Sequence, residues 1–120
     1  MTKRTLVLGA SPNPARFAHK TVKSLVRHNI EVVPIGIKHG IISDVNIMVG
    51  RPSVEKIHTV TMYLKAENQI EYYDYIKELE PNRIIFNPGA ENPELEAIAN
   101  ENNIEVLRSC TIVMLNNGSY

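Results

Sequence analysis

Residues 5–14 place a short apolar strand directly before a loop of small and rigid residues. The sequence there is TLVLGASPNP, and the β-type run breaks at Gly9. A segment compatible with an α-helix follows over residues 15–28. A strand, a small-residue loop and a helix in this order point backbone N–H groups and the positive end of a helix dipole toward one place, which suits a phosphate group. The segment therefore predicts an α/β fold with a nucleotide-type ligand; a tight βα turn that binds nothing is the alternative.

The composition is typical of one globular domain over residues 1–120. The chain carries 13 basic and 13 acidic residues, so no excess of positive charge favours nucleic-acid binding. Its apolar runs are too short to span a membrane, and the segment before and within the first strand is too short for a secretory signal. Cys110 is the only cysteine, which excludes an intramolecular disulfide and a cysteine-rich zinc site. We expect a cytoplasmic protein without a metal site.

Strand-like and helix-like segments alternate along the rest of the chain. The predicted strands are Thr5–Leu8, residues 31–35, a short one near residues 46–49, residues 59–64, Arg83–Phe86 and residues 104–107. The predicted helices cover residues 15–28, residues 67–80 and a segment that starts at Asn92 and ends near residues 102–103, with one helical turn over residues 53–57 and the rest of residues 36–48 in a loop. This alternation predicts a doubly wound parallel sheet with helices on both faces.

The first loop offers several groups to a phosphate, because ligands of doubly wound sheets lie beyond the carboxyl ends of the strands. Gly9 permits close approach of the backbone to a pyrophosphate. Ser11 and Asn13 offer side-chain hydrogen bonds. Arg16 and Lys20 supply positive charge near the loop.

Two departures from the dinucleotide fingerprint G-x-G-x-x-G narrow the ligand class. Ser11 and Pro14 stand where the second and third glycines would be. The second strand ends in PIGIKH, which has no acidic residue for the ribose hydroxyls but contains Lys38. This argues against NAD and is compatible with a phosphorylated ribose, as in NADP or coenzyme A, although a single lysine is more often only a solvated surface residue.

Five segments, in the same order along nearly the whole chain, resemble the small stand-alone CoA-binding proteins: GASPNPAR, EVVPI, VGRPSVEKI, TVTMYL and EVLRSCT. These proteins are similar to the N-terminal CoA-binding Rossmann domain of succinyl-CoA synthetase α subunits and of NDP-forming acyl-CoA synthetases. The resemblance implies a single Rossmann-like domain with a five- or six-stranded parallel sheet that holds coenzyme A across its first βα loop. The second strand continues into IGIK where many members have V-N-P.

The resemblance also implies roles for single residues. Gly9, Ser11 and Asn13 would face the pyrophosphate, and Pro34 and Lys38 would lie beside the adenosine 3′-phosphate. The complete set of predicted cofactor-binding residues is Gly9, Ala10, Ser11, Asn13, Pro14, Arg16, Lys20, Pro34, Gly36, Lys38, Tyr63, Leu64 and Gly89.

Three members of this set lie in or after the later strands. Tyr63 and Leu64 would border the adenine or ribose, and Gly89 would border the far side of the crevice. Packing of Tyr63 in the core is the equally open alternative for that residue.

We expect a protein that binds coenzyme A or an acyl-CoA without catalysis of its own, because 120 residues leave no room for the later domains of the synthetases. The expected partner is thus a small nucleotide cofactor, with neither nucleic acid nor membrane. Two alternatives stay open. One is an NADP-binding sensor or small oxidoreductase, and the other is a Rossmann-shell protein-interaction module with an empty crevice.

Overall fold

The computed structural model describes residues 3–120, which form a seven-stranded sheet with helices on both faces. The strands are β1 (Thr5–Leu8), β2 (Val32–Gly36), β3 (Gly40–Ile42), β4 (Val45–Val49), β5 (Thr59–Met62), β6 (Arg83–Phe86) and β7 (Glu105–Arg108). The helices are α1 (Phe17–Arg27), α2 (Ala66–Gln69), α3 (Tyr73–Leu79), α4 (Pro93–Glu101) and α5 (Thr111–Asn117), and a 3-10 turn over Ile70–Tyr72 joins α2 to α3.

The sheet order is β3-β4-β2-β1-β5-β6-β7, so the chain proceeds outward from β1 in both directions. Thr5 lies in register with Val32 of β2 on one side and with Thr59 of β5 on the other. This is the doubly wound, Rossmann-like order, and its topological switch point lies between β1 and β5. The predicted fold class is confirmed. The six parallel strands are joined by a seventh, β3, which is antiparallel to β4.

The extra strand comes from residues 36–48, where we predicted a loop and one short strand. The chain instead forms a hairpin of β3 and β4, joined by Ser43 and Asp44. Both turn residues have positive φ, 48° and 65°, as a two-residue hairpin turn of type I′ requires. The pair Ser-Asp is a weaker signal for such a turn than Asn-Gly, and this explains the missed strand.

Each face of the sheet carries its own hydrophobic core. Val7 and Ile42 pack with Val22 of α1 on one face. Leu6 packs with Ile76 of α3 on the other, together with residues of α4. Neighbouring residues of β1 thus point to opposite faces, as the period of a strand dictates. Among residues 3–120, none of the helices has the length and apolar character that crossing a bilayer demands.

The helices differ from the predicted ones at three places. Residues 67–80 are divided into α2, a 3-10 turn and α3, and within the turn the Glu71 carbonyl oxygen accepts a hydrogen bond from the Arg51 Nε atom (3.0 Å). The predicted helical turn over residues 53–57 is irregular chain. Helix α5 was not predicted, because its first residues, Thr-Ile-Val, are β-branched and typical of a strand.

Candidate functional site

The candidate site lies at the switch point, where β1 and β5 end side by side. The Tyr63 N–H group donates to the Leu8 carbonyl oxygen at 3.0 Å, which holds the two strand ends together. Gly9 has a φ of 102°, and a β-carbon there would lie 3.2 Å from the Tyr63 Cβ atom and 3.3 Å from the Leu64 nitrogen. A residue without a side chain is therefore needed at this point of the crevice.

The first two N–H groups of the loop donate hydrogen bonds to the neighbouring strand β2. The N–H groups of Gly9 and Ala10 both donate to the Ile35 carbonyl oxygen, each at 2.9 Å. Gly9 thus allows close packing of backbone at the crevice without presenting its own N–H group to a ligand. Donors for an anion must come from later in the loop, where the Ser11 N–H group has no acceptor in the described part of the chain.

The loop is shaped by its own polar side chains. The Ser11 Oγ atom accepts from the Asn13 N–H group at 3.1 Å, and the Asn13 Oδ1 atom accepts from the Ala15 N–H group at 3.0 Å. The His19 ring nitrogen Nδ1 lies 2.9 Å from the Ser11 carbonyl oxygen, and this histidine is only 4% exposed. His19 therefore anchors the loop to α1. This contact was not predictable from the sequence, because a lone histidine in a helical pattern carries no signal for it.

The N-terminus of α1 follows the first loop and has no side-chain cap. Its N-cap, Arg16, makes no side-chain capping bond, and the first turn holds no acidic residue. Within residues 3–120, the N–H groups of Phe17 and Ala18 have no acceptor. Unsatisfied N–H groups and the helix dipole give such an end a partial positive charge.

Two basic side chains lie beside this helix end. Arg16 and Lys20 are exposed, and neither forms an ion pair with a carboxylate in the described residues. The Lys20 Nζ atom lies 5.2 Å from the centre of the Phe17 ring, which stabilises the ammonium group near the loop. Pro14, also exposed, is part of the same loop. The local charge thus favours an anion.

The end of β2 packs closely against the first loop. A β-carbon at Gly36 would lie 2.1 Å from the Ala10 carbonyl oxygen, and one at Gly40 would lie 2.8 Å from the Pro12 Cβ atom. Lys38 is exposed in the turn between these two glycines, so it lies next to the first loop. Pro34 is buried inside β2, opposite Val7, and is set back from this edge.

Tyr63 and Leu64, which follow β5, pack into the hydrophobic cores on opposite faces of the sheet. The Tyr63 hydroxyl group hydrogen-bonds the Thr21 hydroxyl group of α1, and burial raises the pKa of Tyr63 to about 12. Leu64 packs against the core of the opposite face, and its carbonyl oxygen accepts from the Gln69 Nε2 atom at 2.8 Å. Tyr63 is thus engaged in packing and hydrogen bonding between β5 and α1, and a contact with adenine stays a prediction.

A buried asparagine closes the other side of the crevice. The Asn87 amide nitrogen donates to the Thr61 hydroxyl oxygen (2.7 Å) and to the Met62 carbonyl oxygen (2.9 Å), while its Oδ1 atom accepts from the Thr111 N–H group (2.9 Å). This side chain joins the ends of β5 and β6 to the start of α5. Gly89 follows in an exposed turn with a φ of 93°.

Two surface depressions lie away from this site. One, of about 430 Å³, is lined by residues that include Arg51 and Glu78, and the other, of about 580 Å³, by residues that include Lys77 and Asn103. Neither contains a residue of the first loop. Both are shallow polar surfaces, whereas the first loop lies at the carboxyl edge of the sheet, where doubly wound folds bind their ligands.

A family model for the CoA-binding domain matches residues 3–116. The chain belongs to the CoA-binding domain family. The match covers nearly the whole chain and includes every loop at the carboxyl edge of the sheet. Among curated proteins, none matches the chain.

Solved structures share the fold of this CoA-binding family member. An uncharacterized protein solved by crystallography is 44% identical, with a TM-score of 0.96 over 100% of this chain and 99% of that one. A Thermus thermophilus protein, cell-free ID.343, is 17% identical, with a TM-score of 0.86 over 99% of this chain and 91% of that one. A dinucleotide-forming acetyl-coenzyme A synthetase 1 from Ca. Korarchaeum cryptofilum, in complex with phosphate and ADP, is 15% identical, with a TM-score of 0.70 over 90% of this chain and 26% of that one.

Proposed function

We propose that this protein binds coenzyme A or an acyl-CoA in the crevice between β1 and β5, and that it does so without catalysing a reaction of its own. The observation that carries the proposal is the open N-terminus of α1, which combines unpaired N–H groups with the side chains of Arg16 and Lys20. A pyrophosphate is the anion that such a helix end accommodates in a doubly wound fold. Membership of the CoA-binding domain family supports this ligand class.

The adenosine end of the ligand is assigned to the turn after β2. Lys38 is exposed there beside the first loop, and it is free to meet a 3′-phosphate. A charged hydrogen bond of this kind distinguishes coenzyme A from its dephospho form. The remaining predicted contacts, from Ser11, Asn13 and Gly89 in particular, line the route between that phosphate and the far side of the crevice.

The polar groups of the first loop support a binding role. The Ser11 hydroxyl oxygen accepts from Asn13, and the His19 ring is hydrogen-bonded to a backbone carbonyl group. Both side chains therefore shape the loop, as pre-organised binding requires. We assign binding as the function of this domain and no step of proton or group transfer. A cytoplasmic location is part of the same proposal.

Isothermal titration with coenzyme A, dephospho-CoA and NADP tests the proposal. We expect coenzyme A to bind, and we expect dephospho-CoA to bind at least about tenfold more weakly, since loss of about 1.4 kcal/mol changes Kd tenfold. Equal binding of dephospho-CoA would contradict the role of Lys38. Tighter binding of NADP, or no binding of coenzyme A, would contradict the proposed ligand.

A further inference from the structure

Strand β3 leaves one edge of the sheet open. It pairs only with β4, and its two-residue turn makes Ile42 and Val45 the hydrogen-bonded pair next to the turn. Ile41 and Asn46 then form the next, non-hydrogen-bonded pair. The N–H and C=O groups of Ile41 therefore point away from β4, and in the part of the chain that the structure describes no other group hydrogen-bonds them.

Exposed apolar side chains are concentrated at the same edge. Seven large hydrophobic side chains are exposed within residues 3–120, and four of them lie in or beside this hairpin: Ile37, Ile41, Met48 and Val49. Ile41 is 66% exposed and Met48 is 36% exposed. Such a concentration on one side of a small domain marks an interaction surface.

Ile41 and Met48 lie on one face of the sheet. Ile41 is opposite Asn46, two residues before Met48, and Met48 is in register with the buried Ile35 of β2. The chain between β4 and β5 is irregular, so this connection supplies no helix over the outer strands. The open edge and the exposed side chains of Ile41, Asn46 and Met48 thus belong to one continuous surface.

The opposite edge of the sheet has a different character. Strand β7 carries the exposed residues Glu105 and Arg108, and the Arg108 Nε atom forms an ion pair with Glu96 at 3.0 Å. Charged residues on an edge strand prevent pairing with other chains. Strand β3 is short, with three residues, but its sequence Gly-Ile-Ile contains no charged residue.

We propose that β3 pairs antiparallel with β3 of a second copy of this chain, with Ile41 opposite the same residue of that copy. The two outward-pointing Ile41 backbones then exchange two hydrogen bonds, and their side chains pack across the two-fold axis. The start of one β3 then lies beside the end of the other, which brings Lys38, two residues before the strand, near Asp44, two residues after it. Asp44 is exposed and forms no ion pair among the described residues. The charges at the two ends of β3 are therefore complementary to those of a second copy.

Sedimentation equilibrium on the full chain tests this pairing, without added nucleotide because Lys38 is also a proposed phosphate contact. From about 1 μM to about 1 mM chain, we expect the mass to rise from one chain to two and no further, as a closed two-fold interface requires. Ile41→Lys should raise the dimer Kd at least about tenfold. Val113→Lys, at a residue 54% exposed on α5, is the matched control and should leave Kd unchanged. A single-chain mass throughout, growth beyond two chains, or equal effects of both variants would overturn the proposal.

A charge series tests the register. Lys38→Glu should weaken the dimer by placing two carboxylates opposite each other. Adding Asp44→Asn removes that repulsion, and asparagine tolerates the positive φ of this turn position, so the double variant should bind itself more tightly than Lys38→Glu alone. No recovery in the double variant would overturn the pairing of Lys38 with Asp44.

Discussion

The backbone of Gly36 lies against the carbonyl oxygen of Ala10, so closely that a β-carbon at Gly36 would lie 2.1 Å from that oxygen. The contact joins the end of β2 to the first loop. Since the N–H groups of Gly9 and Ala10 also donate to Ile35, the position of the loop depends on β2 at three points. The candidate site is thus built by two neighbouring strands and not by one loop alone.

Gly36→Ala should therefore destabilise the protein and displace the first loop. We expect a loss of about 2–3 kcal/mol in the free energy of unfolding, because the methyl group meets backbone that is unable to rotate away. Gly50→Ala is the control, since a β-carbon there meets nothing within 4 Å and only the positive φ of 83° is unfavourable. Urea denaturation measures both; a loss for Gly36→Ala no larger than that of the control would contradict the contact.

Removal of the two positive charges beside α1 should weaken binding of coenzyme A. For Arg16→Ala/Lys20→Ala we expect Kd to rise by about tenfold or more, because the pyrophosphate loses two charged partners. Lys23→Ala/Arg27→Ala removes the same charge from the same helix, away from its N-terminus, and should change Kd by less than about threefold. Isothermal titration compares the two double variants. Equal losses of affinity for coenzyme A would indicate only a general electrostatic effect.

The buried hydroxyl group of Tyr63 should make stability fall at alkaline pH. Its pKa is about 12 in the folded protein and about 10 in the unfolded chain, so the unfolded chain loses this proton first as the pH rises. The stabilisation is complete below pH 10 and is lost between about pH 10 and 12, by about 2–3 kcal/mol. Tyr63→Phe removes this contribution.

The pH dependence of Tyr63→Phe separates this group from the others that titrate. At about pH 8 the variant should be about 1 kcal/mol less stable than the wild type, because Thr21 loses its hydrogen-bond partner. By about pH 11.5 the order of stability should reverse in urea denaturation, because the wild type has then lost about 2 kcal/mol, a loss that the variant, with no hydroxyl group to titrate, does not undergo. Parallel pH curves for the two proteins would show that Tyr63 does not titrate as its burial requires.

Loss of the Asn87 amide should loosen the far side of the crevice. Asn87→Ala leaves the Thr111 N–H group and the Met62 carbonyl oxygen without this side-chain partner. We expect the free energy of unfolding to fall by about 3 kcal/mol. Asn100→Ala, at an exposed residue of α4, should change the stability by less than about 0.5 kcal/mol. A shift in the urea midpoint that is the same for both variants would contradict the bridging role of Asn87.

Strand positions and one helix start were predictable from the sequence because local rules determine them. Thr5–Leu8 and Arg83–Phe86 form strands with the predicted bounds, as expected of short β-type runs with turn residues at their ends. Asn92 caps α4, and its Oδ1 atom accepts from the Glu94 N–H group at 3.1 Å. Neither prediction needed knowledge of distant contacts.

The parts that could not be predicted depend on such distant contacts. The 3-10 turn after α2 contains the Glu71 carbonyl group, which accepts a hydrogen bond from Arg51, a residue outside the predicted helix. The anchor of the first loop is His19, whose contact with Ser11 exists only because α1 folds back behind the loop. The hydrogen bonds from the Gly9 and Ala10 N–H groups to the Ile35 carbonyl oxygen likewise form only because β2 lies beside β1. Sequence patterns therefore predicted the order of strand, loop and helix, but not the contacts that hold the first loop in place.

An NMR titration of the full chain with coenzyme A tests the central claim most directly, since backbone amide shifts report both binding and its place. We predict the largest shifts at the free N–H groups of Ser11, Phe17 and Ala18, smaller ones around Lys38, and none near Lys77 at the opposite end of the sheet. Absence of shifts at about millimolar coenzyme A, or shifts confined to the surface around Lys77, would contradict the account.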